Sequence, residues 1–580
     1  MRRAMPRSTD GAARNVALSP GEFAADIPRS TMLFGTGGEP LDLGRSRRKS
    51  LGSDAANLSN NEKAAQRFDL RDYAGLDLTG SNSNATLLQK AINQAISERA
   101  RLHVPVGTIV LDSPITINGS CSIVGESCGT GREAAGYGTE ATATATNFLF
   151  AHDGKGFALD GQGVMFDWVQ FKDCMTSRLQ PEPTSVIGSF VPGDQDYDYD
   201  VWNASGLQLQ NVCILNAARG INMRGGGGIG RLWTDNLSGQ PLRVGVNVEL
   251  SADVMRMSNT HFWPFWKDHP EVHRWTLRNC DHLYLKRCDT PLISNYFSIA
   301  ARSALRIGSN EYGGMGKAKI VNFDADYGGN NIWFDETAVN CWAYISNVSL
   351  QGAIPTALAN TPGLSDRVNV LMEGAGNNFL FMNGVEMSGA SGSAVRLLTS
   401  GQRCEIGGGF WLQEYGNSSQ PDTNTEPGVY ASGGATFVLN GQINNTLPGP
   451  GPLAGGAGRF IGIRKAYAPG VVPQSGSFPN ASLIDAEYIE DGYHVSGTVN
   501  VLVTDAGSAT GYIDIGLPTA LDISFGATAL DLTDNTVLSA VTVSAGSSPA
   551  SVRVHKPGGG NVGVSGHTIN LTFNYARKAG

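Results

Sequence analysis

Leu305-Arg306-Ile307 is followed by Ile320-Val321-Asn322-Phe323, and the same two-part pattern then recurs. Ile332-Trp333-Phe334 precedes Ala343-Tyr344-Ile345 and Val348-Ser349-Leu350. Val368-Asn369-Val370-Leu371-Met372 precedes Phe379-Leu380-Phe381 and Val385-Glu386-Met387. Ala394-Val395-Arg396-Leu397 precedes Cys404-Glu405-Ile406 and Trp411-Leu412, and Val429-Tyr430 precedes Phe437-Val438-Leu439. Within each run apolar and polar residues alternate, the two-residue period of a strand with one buried face. The units start near 304, 331, 368, 393 and 428, about 25 to 37 residues apart, a period that points to a solenoid whose coils each bury one row of side chains. With no strict motif, a parallel β-helix fits best. A propeller would need four strands per ~40–50 residues and a recurrent signature such as Trp-Asp, and none recurs. Similar alternations extend from about 156 to 443, roughly a dozen coils, so at ~4.8 Å per rung the solenoid is expected to be roughly 60 Å long.

Upstream, Leu102-His103-Val104, Thr108-Ile109-Val110-Leu111, Ile115-Thr116-Ile117 and Ser122-Ile123-Val124 are short β-type runs broken by Gly, Pro and Asn. Before them Ser83-Asn84 caps a predicted helix over 84–98, with Leu88, Ile92, Ala95 and Ile96 at helical spacing. It is the one helix predicted. Residues 67–101 are thus a linker and capping helix, and 102–443 the β-helix. Residues 1–66 are rich in Ser, Gly, Asn, Ala and Arg and carry Arg45-Ser46-Arg47-Arg48-Lys49, as expected of an extended arm. Downstream, Asn444-Asn445-Thr446-Leu447-Pro448-Gly449-Pro450 opens a predicted linker, 444–492, too rich in Pro and Gly for a ladder. From 493 to 580 alternating strands with regular turns predict a small antiparallel β-sandwich.

Composition agrees with an all-β chain. Gly supplies 74 of 580 residues, and charged residues only 16% against a typical ~25%. A hydrophobic fraction of 41% excludes wholesale disorder. The net charge of −9 argues against a nucleic-acid partner, so an anionic ligand would need a local basic patch. No stretch approaches the ~18 apolar residues of a membrane span. Met1-Arg2-Arg3-Ala4-Met5-Pro6 has no apolar run behind it, so no secretory leader is expected. Eight dispersed cysteines make no C-x-x-C pair and nine histidines give no ligand spacing, so neither metal nor cofactor is expected. The cysteines read as small buried hydrophobes. Arg224-Gly225-Gly226-Gly227-Gly228-Ile229-Gly230-Arg231 lacks the Gly-Lys-Ser/Thr of a phosphate loop and reads as a coil turn. Asp194-Gln195-Asp196-Tyr197-Asp198-Tyr199-Asp200 lacks the EF-hand glycine and glutamate and reads as a solvated acidic loop.

The segment Phe68-Asp69-Leu70-Arg71-Asp72-Tyr73-Ala74-Gly75, the helix 84–98, and Val104-Pro105-Val106-Gly107-Thr108 followed by Ile123-Val124-Gly125-Glu126 resemble the opening of pectate-lyase-like, right-handed parallel β-helix proteins, of which phage tailspikes are a large branch. Asn259-Thr260-His261-Phe262-Trp263 and Leu283-Tyr284-Leu285-Lys286-Arg287-Cys288 are similar to coils of such spikes. The resemblance covers about 68 to 443. It implies a homotrimer in the virion tail, an N-terminal arm (1–66) that attaches to a tail or baseplate protein, and a helix that often cleaves glycans. Residues 1–66 match no known head-binding domain.

Stacked coils set outward side chains in columns, so residues far apart in sequence become neighbours. Taking the apolar positions as inward, Asp324, Asp326, Trp333, Asp335, Glu373, Glu386, Glu405 and Trp411 point out. Glycosidases use two carboxyl groups, about 5–5.5 Å apart when retaining and about 6.5–9.5 Å when inverting. Asp335 and Glu373, on adjacent coils if 353–367 is an insertion, suit retention. Asp326 and Glu386, about 9.5 Å apart across two rungs, suit inversion. Asp324 is a further candidate. Trp333, Trp342, Tyr344, Trp411, Tyr296 and Arg306 are the candidate sugar-binding residues, since exposed rings stack on sugar faces. Lys286, Arg287, Arg306, Lys317 and Lys319 are available to neutralise a uronate in a lyase. The expected function is a tailspike that binds and depolymerises bacterial surface polysaccharide outside the host cell, with hydrolysis ranked above lysis. A non-catalytic receptor-binding spike is the alternative.

Overall fold

The structure is a computed structural model. It describes residues 67–129, 144–162, 165–224, 231–352, 358, 367–413, 415, 426–441, 443–447 and 454–462. Three short strands precede these, and strand segments within 464–577 follow. Two parallel sheets dominate. One has twelve strands in chain order, from Ile115–Ile117 to Ala454–Gly455. The other carries the longer strands, among them Leu292–Ile299, Lys317–Asp326, Trp342–Gln351, Phe379–Ser388 and Arg403–Gln413, each parallel to the next. The chain alternates between the two sheets, one strand of each per coil, which is the predicted parallel β-helix. Coil strands begin at Leu305, Asn330, Val368, Val395 and Val429, within two residues of the starts read from the sequence.

Inward residues stack rung on rung. Ile307, Phe334, Met372, Leu397 and Ala431 form one fully buried column of the first sheet, and Tyr296, Phe323, Val348, Val385 and Phe410 one of the second. Each such burial contributes roughly 1.5–3 kcal/mol, and solenoid coils depend on their neighbours for it. The first coil's apolar residues are covered by the helix Ala85–Glu98, whose Leu88, Ala91, Ile92 and Ala95 join the coil core. Ser83 accepts the Ala85 amide at 3.2 Å, the expected cap.

The strands of the second sheet bend in mid-course. At the bend sit Asp173, Asn211, Asn236, Asn259, Asn295, Asn322 and Asn347, all with φ between 52° and 59°. Asn tolerates this left-handed conformation, which costs other L-residues roughly 1–2 kcal/mol. Their side chains form a ladder: Asn211 donates to Asp173 at 2.8 Å, Asn236 to Asn211 at 2.8 Å, Asn295 to Asn259 at 2.9 Å, Asn322 to Asn295 at 2.7 Å and Asn347 to Asn322 at 3.0 Å. Asn211→Ala is expected to lower stability by about 2 kcal/mol, combining backbone strain with lost hydrogen bonds. Asn211→Gly, free of the strain, is expected to lose less. Equal losses in urea unfolding would put the whole effect in the hydrogen bonds.

Three features depart from the sequence reading. A second helix, Pro270–Asn279, starts with proline in its first turn and the His269 imidazole accepting the Glu271 amide. The solenoid also runs past 443. Ile443–Leu447 pairs with Arg403–Gln413, Ala454–Gly455 with Val429–Ala431, and Arg459–Ile461 with Thr436–Asn440. The sequence of this stretch is rich in Gly and Pro, yet its short strands still pair. Finally, Arg464–Ala466, Val471–Ser475 and Asn480–Glu490, placed in the expected linker, belong to a nine-stranded antiparallel sheet with the strands beyond 493. Val499, Val501, Ile515, Val552, Val554, Ile569 and Phe573 fill the interior of this sandwich.

In the separate unit 1–66, Phe23–Asp26 pairs antiparallel with Thr31–Phe34, which pairs with Leu41–Asp42. The basic cluster 45–49 and the glycine run 225–230 lie outside the described residues. The acidic run is not a solvated loop. Asp198 is buried against Arg178 at 2.8 Å, Asp200 is buried against Lys155 at 2.7 Å and Arg224 at 2.5 Å, and Asp194 meets Arg219 at 2.8 Å. None of the eight cysteines is in a disulfide, seven of them are buried, and burial pushes Cys121 and Cys288 up to about 12. A disulfide-exchange reagent is therefore expected to modify at most Cys128 in the folded protein and all eight thiols after unfolding. Rapid reaction of several native thiols would contradict this packing. No helix among the described residues is long and apolar enough to cross a membrane.

Candidate functional site

The asparagine bend divides the outer face of the second sheet into two strips. On the strip after the bend, register stacks Phe297, Asp324, Ser349, Glu386 and Trp411 in one column, a rung apart. Asp326 lies two residues beyond Asp324, at the next outward position. Asp324, Ser349, Glu386 and Trp411 line a cleft of about 510 Å³ together with Asn322, Asn347, Gly384 and Gly409. Trp411, 46% exposed, is the most open tryptophan of the chain.

The electrostatics of this cleft are unusual for surface carboxylates. Asp324 and Asp326 are half-buried, and Oδ1 of each is closed off from solvent without a hydrogen-bond partner. A buried polar atom left unpaired costs free energy, so such atoms call for an explanation. Burial raises both carboxyls above the ordinary aspartate range. For Asp324 a hydrogen bond from Ser349 opposes the rise and the Glu386 charge adds to it. For Asp326 the Asp324 charge adds to burial, and the group is pushed up to about 6. Glu386 is exposed at the other end of the same column. The arrangement offers an acid that is partly protonated near neutral pH, a carboxylate column two rungs long beside it, and an aromatic platform at that column's end.

The expected pairing is corrected in one respect. Glu386 stands in register with Ser349 and Asp324, so Asp326 is offset from it by one outward position.

The other expected pair is on the first sheet. Phe334 pairs with Met372, and the Glu373 amide donates to the Phe334 carbonyl at 2.8 Å, so Asp335 and Glu373 are neighbours on adjacent coils. Asp335, however, is fully buried and not outward in solvent. It accepts from Tyr284 Oη at 2.8 Å, Arg306 Nε at 2.8 Å, and the Thr337 amide at 2.9 Å and hydroxyl at 2.6 Å. Glu373 accepts from Trp333 Nε1 at 2.8 Å. Arg306 lies between the Tyr284 and Trp333 rings, 4.3 Å from each centroid, and bridges Asp281 and Asp335. Trp333 and Arg306 are thereby committed to a structural box. Tyr296 is a core residue, stacked on Phe323 at 5.2 Å with its hydroxyl on the Ala304 carbonyl, because it occupies an inward position.

Trp342 and Tyr344 are on the strip before the bend. Register there stacks Arg256, Leu292, Lys319, Tyr344 and Phe381, and beside them Lys317, Trp342, Phe379 and Arg403. Arg256, Leu292, Lys319, Val321, Tyr344 and Phe381 line an open groove of about 620 Å³. The two strips are adjacent, since Val321 and Ser346 line the groove while Asn322 and Asn347 line the cleft. Ser349 and the asparagine ladder escaped the sequence reading. A signal existed: Asn322-Phe323-Asp324, Asn347-Val348-Ser349 and Gly384-Val385-Glu386 each place a left-handed residue two positions before a member of the column. Among the described residues no group of His, Cys, Asp or Glu is placed to hold a metal ion.

No family profile and no curated protein sequence matches the chain. Among solved structures it is similar to the Dettilon tailspike protein, at 11% identity and a TM-score of 0.38 over 92% of this chain and 99% of that one. It is also similar to an N-terminal fragment of bacteriophage phi29 gene product 12, at 12% identity and TM-score 0.41 over 68% and 70%. PfbA, a surface adhesin of Streptococcus pneumoniae, gives 11% identity and TM-score 0.39 over 74% and 97%. By its own strand register the chain is a parallel β-helix protein, and its solved neighbours include phage tailspikes.

Proposed function

We propose that the protein is a phage tailspike that binds a bacterial surface polysaccharide and cleaves it by endoglycosidic hydrolysis. One observation carries the reading: Asp324 and Asp326, at successive outward positions, each hold a shielded, unpaired oxygen, and Asp324 shares with Glu386, two rungs away, a cleft edged by Trp411. Asp326, held partly protonated near neutral pH, is the general acid that protonates the leaving glycosidic oxygen. Glu386 is the general base that takes a proton from water. Asp324 and Glu386 are two rungs apart, about 9.5 Å, the wide end of the inverting range. Asp326 lies one outward position farther along the strand, so water and the sugar ring have room between acid and base. Asp324 keeps the Asp326 proton bound through its charge. The engagement of Asp335 by three donor residues leaves the Asp335 and Glu373 pair as the weaker site.

The arm 1–66 is assigned to the phage tail, the spike to a homotrimer, and the sandwich beyond 464 to trimerisation or carbohydrate binding. The test is to incubate the protein with capsule or O-antigen of candidate hosts. Product length is followed by gel filtration, and new reducing ends and ultraviolet absorbance are measured. Shortening with new reducing ends and no unsaturated uronate is expected. An unsaturated product would replace hydrolysis with lysis. Binding without shortening would leave a receptor-binding spike.

A further inference from the structure

We propose that the glycan taken by this protein is an acidic heteropolysaccharide whose anionic sugar is held by Lys319 and Arg256 in the groove before the asparagine bend and by Lys317 on the column beside it. The inference rests on the polysaccharide-binding reading above and names its substrate class.

Most cations of this face and its surroundings are already neutralised. Lys286 stands 3.7 Å from Glu249 and over the Tyr284 ring, Arg287 is paired with Asp289, and Arg306 with Asp281 and Asp335. Arg403 is paired with Glu405 at 2.9 Å, and Arg231 with Asp253 at 2.6 Å. Lys317 and Lys319 are exposed, and neither they nor Arg256 make an ion pair among the described residues. Their neighbours are rings: Arg256 lies over Trp233 at 4.8 Å and Lys317 over Trp342 at 5.2 Å, while Lys319 shares its column with Tyr344 and Phe381. In a chain of net charge −9, unpaired cations set on an aromatic surface are a specific arrangement.

That surface has the chemistry of a sugar carboxylate site. Pyranose faces stack on rings and the anion meets ammonium and guanidinium donors. An apolar protein surface would bury these cations without partners, at a cost. A continuous polyphosphate such as nucleic acid would be carried into Asp324 and Glu386 on the adjoining strip, where like charges repel. A heteropolysaccharide avoids both conflicts. From Lys319 to Asp324 is five residues, at most about 16 Å at ~3.3 Å each and less across the bend at Asn322. An acidic sugar can therefore sit in the groove while neutral residues span to the carboxylates.

Affinity electrophoresis of the full-length protein tests this, with gels containing hyaluronan, chondroitin, gellan or xanthan, in which acidic and uncharged sugars are interspersed. Dextran or pullulan serve as neutral controls and single-stranded DNA as the polyphosphate control. Retardation by at least one acidic polymer and by neither neutral one is expected. The double variant Lys317→Ala/Lys319→Ala should raise the dissociation constant at least tenfold with unchanged melting, as both side chains are exposed, and salt should weaken binding by the parent. Equal retardation by neutral polymers, no retardation by any acidic one, preference for single-stranded DNA, or an unaffected double variant would each overturn the proposal. Retardation without chain shortening would remove the hydrolase and leave this inference standing. Cleavage of a neutral glycan with no acidic retardation would do the reverse.

Discussion

Asp326→Asn is expected to slow polysaccharide cleavage by about 10²–10⁴-fold while glycan binding persists, because the amide cannot deliver a proton to the leaving oxygen. Glu386→Gln is expected to cause a loss of similar size by removing the base. In the parent protein, activity should decline as pH rises through about 6, where Asp326 loses its proton. Asp324→Asn should move that alkaline limb to lower pH, since the Asp324 charge helps to hold the proton on Asp326. Stability supplies an independent readout with a definite sign. From the ordinary aspartate range up to about pH 6, the folded state binds the Asp326 proton more tightly than the unfolded chain, so stability falls as pH rises through that window. Asp326→Asn escapes this loss and should be the more stable protein above pH 6, though the less active one. Full activity in both Asp326→Asn and Glu386→Gln would move the chemistry out of this cleft.

The periodicity of one strand made most of the solenoid legible, because a coil repeats the same inward and outward choice. Strands at Asn330, Val368 and Val429 begin where the apolar alternation resumes. Placement across coils was less legible, since it depends on residues that interrupt the alternation. Asn322 and Asn347 take two outward positions in succession with their neighbours, Val321 and Ser346, and so reset the count. They fall at the same position as Gly384 on successive rungs, and counting two residues on from each makes Asp324, and not Asp326, the in-register partner of Glu386. Asp335 shows a second limit. It follows an outward tryptophan on a strand end, as a solvated carboxylate would, yet Tyr284 and Arg306 from preceding coils close over it. Nothing within ten residues of Asp335 announces those partners. The helix at 270 had local signals, His269 and Pro270 at its start, but its ten residues are too few for a convincing period.

Arg178→Met is expected to be the most damaging single change outside the apolar core, lowering stability by about 3–5 kcal/mol at pH 7. Both side chains of the Arg178 and Asp198 pair are fully buried, with Nε 2.8 Å from Oδ1. The guanidinium also donates to the carbonyls of His152 at 2.8 Å, Gly154 at 2.9 Å and Asp196 at 3.0 Å, and lies over the Phe150 ring. It thus ties together three stretches of two adjacent coils, and methionine replaces its bulk without any of its donors. The carboxyl left behind carries the pH signature. Burial already raises Asp198 and the Arg178 charge opposes that rise, so removing the arginine raises it further. The folded variant then holds a proton that its unfolded chain releases at ordinary aspartate pH, and its stability declines as pH rises through the raised value. The deficit against the parent should therefore shrink between pH 7 and pH 5 in urea unfolding. Arg178→Met combined with Asp198→Leu should recover part of the loss by removing the stranded charge, though not all of it, because three carbonyls stay unpaired. A deficit independent of pH and unchanged by the second substitution would assign the arginine's contribution to packing against Phe150 instead of charge.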